Sequence, residues 1–199
     1  MIDRSSILKI FSHYREGAPV VTGPGFGSRM LHGIGHHPAT IYNMELGYTV
    51  PVALGLALSL PGQLVYALEG DGSMLAGLSV LSTIGRYQPT NLTVIVFDNR
   101  SYATTGAIPS ASTMSTDLSA VARACGIEHL SAVGSAEAFE AALLDAADVG
   151  PRVIVVELEP ETVADVQSAP AFPFDIVEAA INTRRNLEER GLVPTLWSV

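Results

Sequence analysis

A chain of 199 residues, 48% of them hydrophobic and 16% charged, is long enough to bury a core without disulfides or a structural metal. Its single cysteine, Cys125, excludes an internal disulfide, and the absence of a CxxC knuckle fits a reducing cytoplasm. A formal net charge of −9 argues against nucleic acid or an anionic membrane as partner, because both select clustered Lys and Arg. The opening MIDRSSILKIFSH has no apolar core of a signal peptide. The longest apolar stretch, 50–60, contains Pro51 and falls short of the roughly 20 residues of a membrane span. So apolar a chain is expected to hide surface against a partner.

Taken in chain order, helical patterns over 5–14, 25–31, 47–60, 74–86, 117–125 and 135–147 alternate with β-branched runs. The runs at 19–22, 40–43, 64–68, 92–98, 128–133 and 153–158 read as strands bounded by Gly, Pro or Asn. Such alternation predicts an α/β fold, a doubly wound and mainly parallel six-stranded sheet with helices on both faces. The runs 64–68 and 92–97 are continuously apolar, as strands covered on both faces must be. Asp117 and Ser135 are placed to cap the helices that follow them. From Pro160 the prolines at 170, 173 and 194 surround one helix, 175–190, which reads as an arm. The expected division is a domain over 1–159 and an extension over 160–199. Right-handed crossovers would bring all strand C-termini, and any ligand site, to one edge.

The segment EGDGSMLAGLSVLSTIGRYQPTNLTVIVFDNRSYATTG, 69–106, carries the most chemistry. An apolar run ends in Gly70-Asp71-Gly72-Ser73 and a helix follows at once, so backbone N–H groups can approach an anion. Asp71 would repel a diphosphate there, and a divalent cation between them resolves the conflict, since Mg²⁺ takes one or two carboxylates plus phosphate oxygens. The next strand ends in Asp98-Asn99-Arg100-Ser101-Tyr102, whose amide and main-chain oxygens could complete the shell. A bland alternative makes the GDG a mere strand-to-helix turn.

GDG, then 26 residues from Ser73 to Asp98, then Asn99, resembles the thiamine diphosphate motif. The resemblance runs from about 19 to 159 and is to the pyrophosphate-binding domain of thiamine diphosphate enzymes. Within them, LSTIGRYQPTNLTVIVFDNRSYATTG and DLSAVARACGIEHL are most similar to sulfopyruvate decarboxylase beta subunits and the C-terminal part of phosphonopyruvate decarboxylases. The family often has Asn-Asn where this chain has Asp98-Asn99, a mild departure because the second residue carries the ligand.

The resemblance implies thiamine diphosphate and Mg²⁺ as cofactors. Asp71, the Asn99 side chain and the Ser101 carbonyl would be the metal ligands. Gly70, Gly72 and Ser73 would touch the diphosphate, Gly23, Pro24 and Gly25 would border it, and Tyr102 would lie beside them. NMELGYTVPVALGLAL matches the stretch in which an apolar side chain wedges between the cofactor rings, which places Leu46 at the wedge. The Met44 carbonyl would then accept the 4′-amino hydrogen. Read from pattern alone, Leu46 is better explained as the start of a buried helix.

The family's activating glutamate belongs to a separate pyrimidine-binding domain, and neither the 18 residues before Pro19 nor the 40 after Glu159 could hold one. The expectation is therefore a beta subunit of a two-subunit 2-oxo acid decarboxylase, completed by an alpha subunit and further self-associated, acting on a small 2-oxo acid. Alternatives are a carboligase subunit, a 2-oxoacid oxidoreductase subunit, disfavoured by the lack of cysteines for an iron–sulfur cluster, and a non-catalytic cofactor-binding subunit. A further alternative reads Gly23-x-Gly25 as a dinucleotide loop with Glu45 as ribose acceptor, although Ser28 stands where that fingerprint wants Gly or Ala. His32, His36 and His37 could form a metal site, a proton shuttle or an exposed loop. Arg100 could meet a substrate anion or simply be solvated.

Overall fold

A computed structural model describes residues 2–145, 150–171 and 175–195. The described elements run α1 (Arg4–Tyr14), β1 (Val20–Thr22), α2 (Phe26–Gly35), β2 (Thr40–Ile41), α3 (Thr49–Ser59), β3 (Val65–Gly70), α4 (Asp71–Ala76), α5 (Val80–Tyr87) and β4 (Leu92–Asp98). After them come β5 (Ser101–Tyr102), β6 (Ile108–Pro109), α6 (Leu118–Ala124), β7 (His129–Val133), α7 (Ala136–Leu144), β8 (Arg152–Glu157), α8 (Val163–Ser168) and α9 (Ile176–Glu189). Six strands form one sheet in the order β2-β1-β3-β4-β8-β7, and every pairing in it is parallel.

The central strands are apolar because both faces are covered. Val65, Ala67, Val94 and Val96 pack with α3, α5 and α6 on one side, whereas Tyr66, Leu68, Ile95 and Phe97 pack with α1, α2 and α7 on the other. The alternation along each strand thus divides two cores and not a core from solvent. Register carries the site: Gly70 pairs with Phe97 and Leu68 with Thr22, so the turns after β1, β3 and β4 open together on the C-terminal edge.

Capping follows the expected chemistry. Asp117 Oδ1 accepts from the Ala120 N–H, Ser135 Oγ from Ala138 and Asp175 Oδ1 from Glu178. Three expectations need correction. The helix expected over 74–86 starts at Asp71 and is broken into α4 and α5 at Gly77, where a Cβ would collide with the Gly47 carbonyl oxygen. Residues 101–109 form an unforeseen antiparallel ribbon, β5–β6. The extension carries two described helices and not one, since Thr162 and Asp165 form a reciprocal capping box ahead of α8. Residues 146 and 147 of the helix expected over 135–147 lie outside the described residues.

Glycines on different helices make opposite demands. A Cβ on Gly85 of α5 would run into the backbone carbonyl of Cys125, whereas one on exposed Gly55 of α3 meets nothing within 4 Å. Gly85→Ala is expected to destabilise the fold by about 2 kcal/mol or more, and Gly55→Ala to stabilise it by roughly 0.5–1 kcal/mol. Urea unfolding of the two variants measures both signs.

Candidate active site

The strand-end turns enclose a half-open cavity of about 650 Å³ including its mouth. Its wall brings together ten of the expected site residues: Gly23 and Pro24 after β1, Leu46 before α3, Gly70 to Ser73 at the β3–α4 junction, and Asn99, Ser101 and Tyr102 after β4. Gly25 and Met44 are the two expected residues outside that lining. Gly25, at φ +82°, begins α2 and donates its N–H to Asn43 Oδ1 at 2.8 Å, which turns its neighbours Pro24 and Phe26 to the cavity. Met44 donates its N–H to the Thr22 carbonyl at 2.9 Å, and its half-buried side chain joins the α3-side core.

The GDGS turn is shaped by what surrounds it. A Cβ on Gly72 would strike the Tyr102 ring, so that position requires the bare backbone, and one on Gly23 would displace the Glu69 carboxyl. Ser73 Oγ accepts from the Gly47 N–H at 2.9 Å, joining the turn to the Leu46 segment. Leu46 itself is 50% exposed at the cavity, which removes the reading of it as a buried helix start.

Asp71 is 2% exposed. Burial pushes its carboxyl above the ordinary range, and the charge of Asp98 adds to the rise. Its Oδ2 accepts from Ser110 Oγ and, at 3.1 Å, from Ser112 Oγ. Ser112 Oγ also lies 2.8 Å from Asp98 Oδ1, so its single proton is shared between the two carboxylates. Two serines just past the β5–β6 ribbon thus hold the two carboxylates, and only the serine-rich run 110–115 hinted at them in the sequence.

Asn99 Oδ1 accepts from the Ser101 N–H at 3.0 Å, while its Nδ2 donates to Glu161 Oε2 at 2.6 Å. Glu161 and its partner Arg4 also line the cavity, and nothing local in the sequence marks either. Ser101 Oγ is buried with no hydrogen-bond partner among the described residues. A buried carboxylate, an amide oxygen, main-chain carbonyls and an unpartnered hydroxyl around one cavity make a hard oxygen set that suits Mg²⁺ beside phosphate oxygens.

The remaining candidates lie elsewhere. Ser28 is buried, contacts the Thr22 hydroxyl and accepts from the Asn43 N–H at 2.8 Å, so it braces the first glycine loop. Glu45 is exposed. His32, His36 and Tyr42 form a ring cluster, with His36 Nδ1 3.3 Å from Tyr42 Oη. Among the described residues no group of three His, Cys, Asp or Glu is placed to hold a metal. Arg100 is half exposed and faces Glu157 at 3.8 Å.

Sequence reasoning also missed Glu69, the one charged residue inside β3 and 1% exposed. Burial lifts its pKa from 4.5 to about 7, and the nearby Ser73 and Thr49 hydroxyls and the Gly70 N–H, which its Oε1 accepts at 3.1 Å, pull it part of the way back. A carboxyl that keeps its proton better in the folded state contributes stability below pH 4.5, and that contribution is lost as pH rises through about 7. In the metal-free chain, Glu69→Gln should therefore gain on the wild type between pH 5 and 8, by at most about 3 kcal/mol. Urea midpoints across that range measure the gain.

Residues 32–156 match the family model "Thiamine pyrophosphate enzyme, C-terminal TPP binding domain". The chain is 32% identical to sulfopyruvate decarboxylase subunit beta of Methanococcus maripaludis, over 85% of this chain and 92% of that one. It is 30% identical to phosphonopyruvate decarboxylase of Streptomyces hygroscopicus, over 86% of this chain and 43% of that one. The thiamine diphosphate-dependent 4-hydroxybenzoylformate decarboxylase of Rhodococcus jostii superposes with a TM-score of 0.63 at 26% identity, covering 80% of this chain and 33% of that one. The chain thus spans about a third of that solved structure and nearly the whole of the sulfopyruvate relative. With the GDG turn, Asn99 and the open strand edge on one cavity, the chain belongs to the thiamine pyrophosphate enzymes, through their C-terminal TPP-binding domain.

Proposed function

We propose that this chain is the beta subunit of a two-subunit thiamine diphosphate-dependent decarboxylase, holding the cofactor's diphosphate through Mg²⁺ and acting on a short 2-oxo acid. The observation that carries the reading is the convergence of Asp71, Asn99 and Ser101 on one cavity beside the glycine turns. Two relatives named sulfopyruvate decarboxylase subunit beta, covered over 92% and 99% of their lengths, support a division of the enzyme between chains. No helix among the described residues is long and apolar enough to cross a membrane, and the enzyme is read as cytoplasmic.

In this reading Asp71, Asn99 Oδ1 and the Ser101 carbonyl hold Mg²⁺. Gly23, Pro24, Gly25, Gly70, Gly72 and Ser73 border the diphosphate, where missing side chains let backbone N–H groups approach it. Tyr102 closes the turn over Gly72. The Ser73–Gly47 bond sets Leu46 relative to the diphosphate end, so the wedge and the anchor move as one piece. Met44 would offer its carbonyl beside the wedge. Thiamine diphosphate, when bound, supplies an electron sink that lets CO2 leave a 2-oxo acid. The protein's share is to hold that group bent and to keep water from its reacting end.

Leu46, on the cavity wall, is 50% exposed, and Ile108 and Met114, on the segment that follows Tyr102, are 60% and 87% exposed. An alpha subunit bearing a pyrimidine-binding domain is proposed to cover them, with self-association of the assembly adding to the burial. Such a surface is what an obligate partner leaves behind on one half of a shared site.

Calorimetric titration of thiamine diphosphate with Mg²⁺ into the chain, alone and mixed with the alpha subunit, tests the reading. Asp71→Ala should weaken Mg²⁺-dependent binding at least tenfold, equivalent to about 1.4 kcal/mol. Equal binding by the variant would refute the anchor. A panel of 2-oxo acids read for CO2 should show turnover by the mixture and none by the chain alone, and acyloin as the main product would favour a carboligase.

A further inference from the structure

Asn99 can ligate a cation only through Oδ1, because the opposite face of its amide presents two N–H groups that repel positive charge. Both ends of the amide are fixed. The Ser101 N–H meets Oδ1 at 3.0 Å and Glu161 Oε2 receives Nδ2 at 2.6 Å. A flipped amide would set donor against donor at Ser101 and oxygen against carboxylate at Glu161, losing both bonds at once. An amide oxygen has two lone pairs, so accepting from Ser101 leaves one for a cation.

Glu161 needs compensation, being a carboxylate 11% exposed in the wall of a diphosphate site. Arg4 supplies it through a fork, Nε to Oε1 and Nη2 to Oε2, both at 2.7 Å. The guanidinium stacks on Phe97, with Cζ 4.8 Å from the ring centre, and on Phe26 at 5.8 Å. The chain ends are joined around this pair: Ile2 bridges Leu158, the Glu159 N–H meets the Ile2 carbonyl, and Arg29 Nη2 donates to the Val166 carbonyl at 2.8 Å. Arg4 and Glu161 both lie outside the stretch 32–156 matched by the family model.

We infer that Glu161, braced by Arg4, is a positioning residue for the Mg²⁺ site: it sets the Asn99 amide with Oδ1 turned toward the cation. The extension after β8 thereby acts on the metal site through the Asn99 amide. The inference rests on the proposed metal role of Asn99, and one arm of its test is independent of that role.

In the full chain labelled with ¹⁵N-asparagine, the Asn99 side-chain signal is identified by its loss in Asn99→Ala. Its NH2 protons should be protected from solvent exchange in the wild type and in Glu161→Gln, and should lose that protection in Glu161→Ala. Because Glu161→Ala strands a buried guanidinium, the double variant Arg4→Leu/Glu161→Leu removes the pair as a unit and should lose protection too. Unchanged exchange in the folded double variant overturns the inference whether or not cofactor binds.

The second arm is Mg²⁺-dependent binding of thiamine diphosphate to the chain with its alpha subunit. The double variant should weaken binding about fivefold or more on the wild-type background and not further on Asn99→Ala. Equal losses on both backgrounds would make the pair a mere tether. Tighter binding would make Glu161 a competitor for the site, and either result overturns the inference. Absence of binding by the wild type would instead strike the cofactor reading, leaving amide exchange to decide for Glu161.

Discussion

Burying Asp71 at the C-terminal edge of a parallel sheet is the constraint around which the rest of the site is arranged. At 2% exposure the carboxylate has lost most of its water, and burial works against its charged form. Two serine hydroxyls return part of what solvation gave, and a divalent cation would return the rest. The same cation answers a second difficulty, since a diphosphate approaching the GDGS turn meets this negative charge first. Carboxylate and diphosphate can occupy one small space when an ion of opposite charge lies between them. Asn99 comes beside Asp71 because β3 and β4 are neighbours in register, Gly70 beside Phe97, so the chain leaves both strands at the same height, where the amide oxygen could serve such an ion.

The coupling between the two ends of the cavity is carried by backbone packing. Gly47 and Gly77 approach so closely that a Cβ on Gly77 would overlap the Gly47 carbonyl, and Gly47 also donates to Ser73. The helix that follows the GDGS turn therefore ends against the residue after Leu46. This contact breaks α4 from α5, and it makes the position of Leu46 a consequence of the diphosphate turn. A continuous helix over 74–86 would have left no room for it.

What could be read from the sequence was what short-range chemistry decides. Strand β4 was legible from end to end because a continuous apolar run bounded by Asn and Asp has few other uses in an α/β chain. Asp117 and Ser135 were legible as caps because each bonds an N–H three residues on. The metal-site candidates were legible because spacing and residue type together narrow the choice. Glu69 was hidden by its setting, a lone carboxyl at the end of an apolar run, where only the fold shows that water is excluded. Arg4 and Glu161 stand 157 residues apart and meet only because Ile2 pairs with Leu158 directly after β8. Helix α8 was a different kind of miss, for Thr162 with Asp165 three residues later is a capping signal that local reasoning could have used.

The two ends of the cavity are finished to different degrees. At the anionic end this chain satisfies most of its own polar groups, the Ser101 hydroxyl excepted: hydroxyls bridge the carboxylates, the Asn99 amide is bonded on both sides, and the Glu161 charge is matched by Arg4. At the Leu46 end it leaves an apolar side chain half in water, and Ile108 and Met114 stand exposed on the segment beyond β5, at a cost of roughly 25 cal/mol for each Å² of apolar surface so exposed. Polar groups must be oriented before a charged ligand arrives, so they are built into one chain by its own fold. Apolar contact is non-directional and can be completed by whichever surface covers it. A site shared between two chains is most economically divided along that line, with the directional half folded in advance and the non-directional half supplied by assembly.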